Sequence, residues 1–97
     1  MRPMLRTTKI RNRDAYQLTF TLAAGVQPPG RVSVVGDFND WTPGRHELRP
    51  LRDGTRSVSV RVPAGRAVRF RYLAPDGHWF DDPSVADRDG HDCVVRV

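Results

Sequence analysis

Apolar and polar residues alternate along most of this chain with a period of two. Tyr16, Leu18, Phe20 and Leu22 are spaced by Gln17, Thr19 and Thr21, the pattern of a strand with one buried face and one wet face. Val32 and Val34 repeat it within Arg31 to Gly36, and Val58, Val60 and Val62 do so between Ser57, Ser59 and Arg61. Val68, Phe70 and Tyr72 alternate with Arg69 and Arg71, and Cys93, Val95 and Val97 share one side of a last strand. Turn formers separate these runs: Gln27-Pro28-Pro29-Gly30, the loop Asp37 to Arg45, Arg52-Asp53-Gly54-Thr55, Pro63-Ala64-Gly65 and Pro75-Asp76-Gly77. Asp-Gly supplies the positive φ that a tight hairpin needs. His46 to Leu51 reads as a short edge segment limited by Pro50. No stretch carries the helical period. Roughly six or seven short strands in about 100 residues predict an all-β, immunoglobulin-like antiparallel sandwich.

Length and charge narrow the picture. At 97 residues the chain is one domain with a thin core. Residues 1–14 carry Arg2, Arg6, Lys9, Arg11 and Arg13 without an apolar run, so they read as a basic, flexible N-terminal segment preceding a folded domain at 15–97. The formal charge is +5, yet 15 of the 16 basic residues are arginines spread among strand positions, which does not favour nucleic acid as a partner. Cys93 is the single cysteine and leaves no internal disulfide. With no run long enough for a signal segment or a membrane span, the expectation is a cytoplasmic protein with no membrane partner.

Catalysis finds little support. A glycosidase needs two carboxylates roughly 5–9.5 Å apart across the bond. Asp81 and Asp82 are neighbours whose side chains diverge in a strand, and Asp37 and Asp40 fall in a turn that backbone hydrogen bonds explain. His91-Asp92-Cys93 together with His78 offers ligand chemistry without zinc-like spacing. The expectation is a non-enzyme with no metal and no cofactor.

Two aromatic positions carry more information. In Val34-Val35-Gly36-Asp37-Phe38-Asn39-Asp40-Trp41 a strand runs into a polar turn. There Phe38 is placed to plug the loop onto the core, and Trp41 either caps the open end of the sandwich or stands exposed. Trp79 follows the Pro75-Asp76-Gly77 turn in equally polar surroundings. An exposed indole offers a flat, rigid platform for the C–H face of a sugar ring. Arg71 faces outward if Phe70 and Tyr72 face inward.

Gly36-Asp37-Phe38-Asn39-Asp40-Trp41 resembles a motif of the glycogen-binding module in the β subunits of AMP-activated protein kinase. The same module occurs as the N-terminal early-set domain of isoamylases and glycogen branching enzymes. The likeness continues through Leu51-Arg52-Asp53-Gly54, Val62-Pro63-Ala64-Gly65, Phe70-Arg71-Tyr72, Asp76-Gly77-His78-Trp79 and Asp82-Pro83. It spans roughly residues 31–97, and the chain's size resembles short stand-alone bacterial members. The resemblance implies non-catalytic binding of α-1,4-linked glucan, with Trp41 and Trp79 as the stacking pair. It puts Arg71 where relatives carry a hydrogen-bonding lysine, and Asp92 or Cys93 where they carry an asparagine. One departure is plain: Ser84 to Asp92 is short and polar where binders carry a longer loop with an apolar residue. The other role the family suggests is an interaction module docking against a glycogen-metabolising enzyme.

Overall fold

The structure, a computed structural model, describes residues 5–11, 13–23, 30–82 and 85–97. The Gln27-Pro28-Pro29 turn, Pro83 and the start of the Ser84–Asp92 loop lie outside the described residues.

Two antiparallel sheets face one another. The first has the order β1 (Leu5–Lys9), β2 (Ala15–Leu22), β5 (Arg56–Pro63), β4 (Arg49–Pro50). The second runs β3 (Ser33–Gly36), β6 (Ala67–Ala74), β9 (Asp92–Arg96), β8 (Arg88–Asp89), with β7 (His78–Phe80) paired to β6 beside β9. The only helical turns among the described residues are two 3-10 turns, Asp37–Asn39 and Pro75–Gly77. This is the all-β, two-layer architecture that the alternation implies.

The inward stripes meet as expected. Leu18, Phe20 and Leu22 from β2, Val60 and Val62 from β5, and Val68, Phe70 and Tyr72 from β6 share one buried cluster with Val32, Val34 and Cys93. Phe20 sits at its centre, edge-on to Phe70 with ring centroids 4.9 Å apart and 5.9 Å from Phe38. Phe38 is thus the plug that ties the loop after β3 to the core. The hydrophobic contribution of such burial is about 1.5–3 kcal/mol per large side chain.

Three features depart from the simple stripe reading. Leu5–Lys9 lie within the stretch expected to be a flexible tail, yet they pair residue for residue with Phe20 to Tyr16. Their strand was hidden because only Leu5 is apolar in LRTTK: backbone hydrogen bonds, which leave no hydropathy signal, hold this edge. Second, the 46–51 segment serves both sheets. The His46 carbonyl accepts from Val34 N–H at 2.9 Å and Leu48 N–H donates to the Val32 carbonyl at 2.8 Å, then Arg49 and Pro50 cross to pair with Ser57 and Arg56. Leu48, 2% exposed, fills the corner between the sheets. Pro50 is tolerated because an edge strand has no ladder bond to lose there. Third, Val35 and Val94 are buried although they alternate with core-facing residues, so the outer side of the second sheet is partly covered.

Candidate functional site

The site is built on the outer side of β6. Because Phe70 and Tyr72 point inward, Arg69, Arg71 and Leu73 point out. The Pro75–Gly77 turn then returns β7 alongside, with Leu73 opposite Trp79 and Tyr72 opposite Phe80. Phe80 turns inward and stacks on Tyr72 at 5.1 Å. Alternation therefore drives Trp79 outward, and it remains 39% exposed.

Arg71 and Trp79 come together. The Arg71 guanidinium carbon lies 5.5 Å from the Trp79 ring centroid, within the range of a cation–π contact. Its Nε donates to Asp81 Oδ1 at 3.0 Å, and Asp81 Oδ2 also faces Arg88 Nη1 at 3.9 Å. Asp81 follows Phe80 on the line that carries β7 past Arg71, so continuing the β6–β7 register from Tyr72–Phe80 locates it. Sequence reading missed it because that register becomes visible only once the Pro-Asp-Gly turn is known to make a tight hairpin.

Trp41 is placed by a different device. Gly36 ends β3 where a Cβ would collide with the Arg69 carbonyl and the Phe38 ring. Asn39 then braces the turn: its Oδ1 accepts from Gly36 N–H at 3.1 Å, and its Nδ2 donates to the Val34 carbonyl at 3.1 Å and to His46 Nδ1 at 3.0 Å. A ring nitrogen that accepts is unprotonated, and burial, followed by the charge of Arg45, lowers the His46 pKa. Asp40 and Trp41 both adopt left-handed backbone, at φ 54° and 55°, a conformation that costs a bulky residue about 1–3 kcal/mol. Trp41 N–H closes the turn onto the Gly36 carbonyl at 2.9 Å. The indole is 38% exposed. The loop then returns along β3, where Gly44 N–H donates to Ser33 Oγ at 3.1 Å. Phe38 anchors the loop against the core, while Trp41 remains an exposed residue. No ring or cation–π contact joins Trp41 to Trp79 or Arg71 among the described residues.

Asp92 sits apart from Arg71. It opens β9 opposite Asp89, and with Asp89 and Asp37 it acts electrostatically on Arg69. Arg69 Nε donates to Asp89 Oδ2 at 2.6 Å, and Asp37 Oδ2 accepts from Arg69 N–H at 3.2 Å. Two Arg–Asp groups therefore occupy successive outward positions of β6, one beside Trp79 and one beside Asp92.

Beneath them lies a buried polar knot. Asp82 is fully buried, and its Oδ2 accepts from Tyr72 Oη at 3.3 Å. Arg88 links β9 to the segment after β7, its Nη1 2.6 Å from Cys93 Sγ and its Nη2 donating to the Asp82 carbonyl at 3.1 Å. Burial and the nearby Asp82 carboxylate push the Tyr72 phenol well above its ordinary range, and burial raises the Cys93 thiol. Both groups are protonated at neutral pH. Cys93 is a free thiol packed into this knot. No helix among the described residues is long and apolar enough to cross a membrane.

No family model matches the chain. Part of it is similar to curated proteins. It is 50% identical over 50 residues to a 1,4-alpha-glucan branching enzyme GlgB of Mesorhizobium japonicum, a match covering 48% of this chain and 7% of that enzyme. It is 46% identical over 54 residues to the enzyme of the same name from Ralstonia nicotianae, covering 50% of this chain and 7% of the relative. For the Cupriavidus necator enzyme the figures are 38% over 61 residues, 59% of this chain and 8% of the relative. The chain thus corresponds to under a tenth of the length of these relatives, and its similarity is to a short stretch of glucan branching enzymes.

Proposed function

We propose that this chain is a non-catalytic module that binds α-1,4-linked glucan, glycogen or a starch-like polymer, on the outer side of its five-stranded sheet. The observation that carries the reading is the Arg71–Trp79 pair. A 39% exposed indole lies beside a guanidinium held 5.5 Å away and clamped by Asp81. Glucose presents a C–H face to an indole and hydroxyls to its rim. The Asp81 bond uses the Arg71 Nε–H, and a guanidinium has five N–H donors, so others remain to meet hydroxyls. Trp41 supplies a second platform, on a turn kept in left-handed backbone, the kind of strain that persists where surrounding structure enforces it. Asp92, next to the Arg69 group, lies at the far end of this face and serves as a rim acceptor.

The similarity to short stretches of glucan branching enzymes supports a glucan-related role. The matches cover only 7% of these two enzymes, and branching activity is not part of the proposal. A shallow platform with two rings fits a Kd between about 1 μM and 1 mM, roughly −8 to −4 kcal/mol. A single cysteine, which leaves no internal disulfide, is in keeping with a reducing, cytoplasmic compartment.

The test is retention on amylose or glycogen beads at several salt concentrations. Retention that survives high salt supports sugar stacking. Steep loss with salt points to a polyanion. No retention at all would leave the module as a docking element for a glucan-metabolising enzyme and would sink the sugar reading.

A further inference from the structure

The first sheet ends on an incomplete edge. β5 has eight residues, Arg56–Pro63, all paired with β2 on one side. On its other side β4 covers only Arg56 and Ser57. Leu51 N–H donates to the Thr55 carbonyl at 2.8 Å, and in an antiparallel ladder such hydrogen-bonded positions recur at every second residue. The N–H and C=O groups that point off this edge after Ser57 therefore belong to Ser59 and Arg61. No backbone group receives them among the described residues.

A groove of about 620 Å³ runs beside that edge, with Val58 on one wall and Arg45, Arg49 and Leu51 on the others. Val58 packs on the core and is only half-buried, and Leu51 is 51% exposed. Arg45, Arg49 and Arg61 enter no ion pair among the described residues, while the groove's own carboxylate, Glu47, lies 3.8 Å from Arg31. The outward positions of the sheet next to the edge are Arg6, Thr8, Gln17, Thr19, Thr21, Ser57, Ser59 and Arg61. No acidic side chain stands among them.

We propose that the free edge of β5 is a docking site for an extended, acidic segment of a partner polypeptide, which adds to the first sheet as a strand. Strand addition satisfies the Ser59 and Arg61 backbone groups. An incoming strand alternates its side chains. One set would enter the groove over Val58 and Leu51, and the other would lie over the outer face beside Arg49 and Arg61. The fitting sequence therefore alternates apolar and acidic residues. Charge also decides against a second copy of this chain. A two-fold pairing of β5 with itself over Ser59 and Arg61 would bring the two Arg61 side chains to neighbouring outward positions, and β5 carries no acidic residue to separate them. The site lies on the opposite sheet from Trp79 and does not depend on the glucan reading.

The probe is a synthetic ten-residue peptide of alternating valine and glutamate, with residue-resolved amide exchange as the readout. At saturation the Ser59 and Arg61 amides should slow at least tenfold while the outward β6 residues stay unchanged. The matching valine–lysine peptide should give no protection. A valine–glutamate peptide N-methylated on alternate residues, which cannot complete the ladder, should bind at least tenfold more weakly. Arg49→Glu combined with Arg61→Glu, both at exposed positions, should reverse the preference toward the lysine peptide. Ser59→Pro removes an outward N–H and should abolish protection at Arg61. Equal binding of both charge types, or undiminished binding of the N-methylated peptide, would overturn the proposal. Protection of Ser59 and Arg61 by self-association without peptide would overturn the choice of partner, and so would a failure of the glutamate peptide to protect them.

Discussion

The two outer faces of this sandwich are built from the same short strands but solve opposite problems. On the five-stranded sheet each outward arginine of β6 has an acidic partner: Arg71 meets Asp81 and Arg69 meets Asp89. Val35 and Val94 are buried on that same side, and Trp79 stands over Arg71. On the four-stranded sheet the outward residues are hydroxyls and amides with arginines and no acid. Thr19 Oγ1 lies 3.0 Å from Ser59 Oγ and Thr21 Oγ1 3.3 Å from Ser57 Oγ. The first face is internally neutralised and aromatic, suited to a neutral ligand with apolar faces. The second is an uncompensated positive surface beside an open edge. The net charge of +5 is therefore not spread evenly over function.

The largest expected effect breaks the first face. Trp79→Ala, and separately Trp41→Ala, should reduce retention on glycogen at least tenfold. The thermal midpoint should move little, because both indoles are more than a third exposed. If both variants bind as well as the parent, the sugar site lies elsewhere.

Arg71→Ala should weaken retention about fivefold, since a hydrogen bond exchanged against water is worth about 1 kcal/mol. Arg61→Ala on the opposite face should leave retention unchanged. A titration of each variant against maltoheptaose separates the two, and equal losses would erase the distinction between the faces.

Acid should loosen the Trp41 turn selectively. The His46 pKa is lowered in the fold, so above the unfolded value of about 6.5 both states are neutral and its contribution is fully present. As pH falls below that value the unfolded chain binds the proton first, and stability is lost down through the folded pKa. Protonated Nδ1 can no longer accept from Asn39. The thermal midpoint should drop as pH falls from about 7 to 5, and His46→Gln should flatten that slope. An unchanged slope in the variant would assign the acid response to other groups.

The smallest effect is expected for Ser57→Ala with Ser59→Ala. The Thr19–Ser59 pair is exposed and the Thr21–Ser57 pair only part-buried, and changes of this kind near the surface stay within about 0.5 kcal/mol. Denaturant unfolding showing a clearly larger loss would mean that the hydroxyl ladder is a structural element of the first sheet.

Much of the fold is legible in the amino-acid pattern. The period of two in Leu18–Leu22, Val58–Val62 and Val68–Tyr72 specifies which side chains enter the core, because a one-residue slip would expose every one of them. Phe38 as the loop plug and Trp79 as an exposed aromatic are legible from a different signal, a large ring set among polar turn residues. The alternation also puts Arg71 outside, since two large aromatics flank it.

What the tertiary structure alone decided is the company each residue keeps. The strand at Leu5–Lys9 rests on backbone pairing with β2, and hydropathy does not encode pairing. The crossing of 46–51 between sheets depends on where β3 and β5 lie in space. Asp81 reaches Arg71 only after the β6–β7 turn sets the register, while Asp92 falls beside Arg69 because β9 pairs with the first half of β6. The sequence by itself determines which face of a strand is wet, through the local geometry of the chain. Which charges meet on that face, and which strand edge stays open, is settled by contacts between segments far apart in sequence.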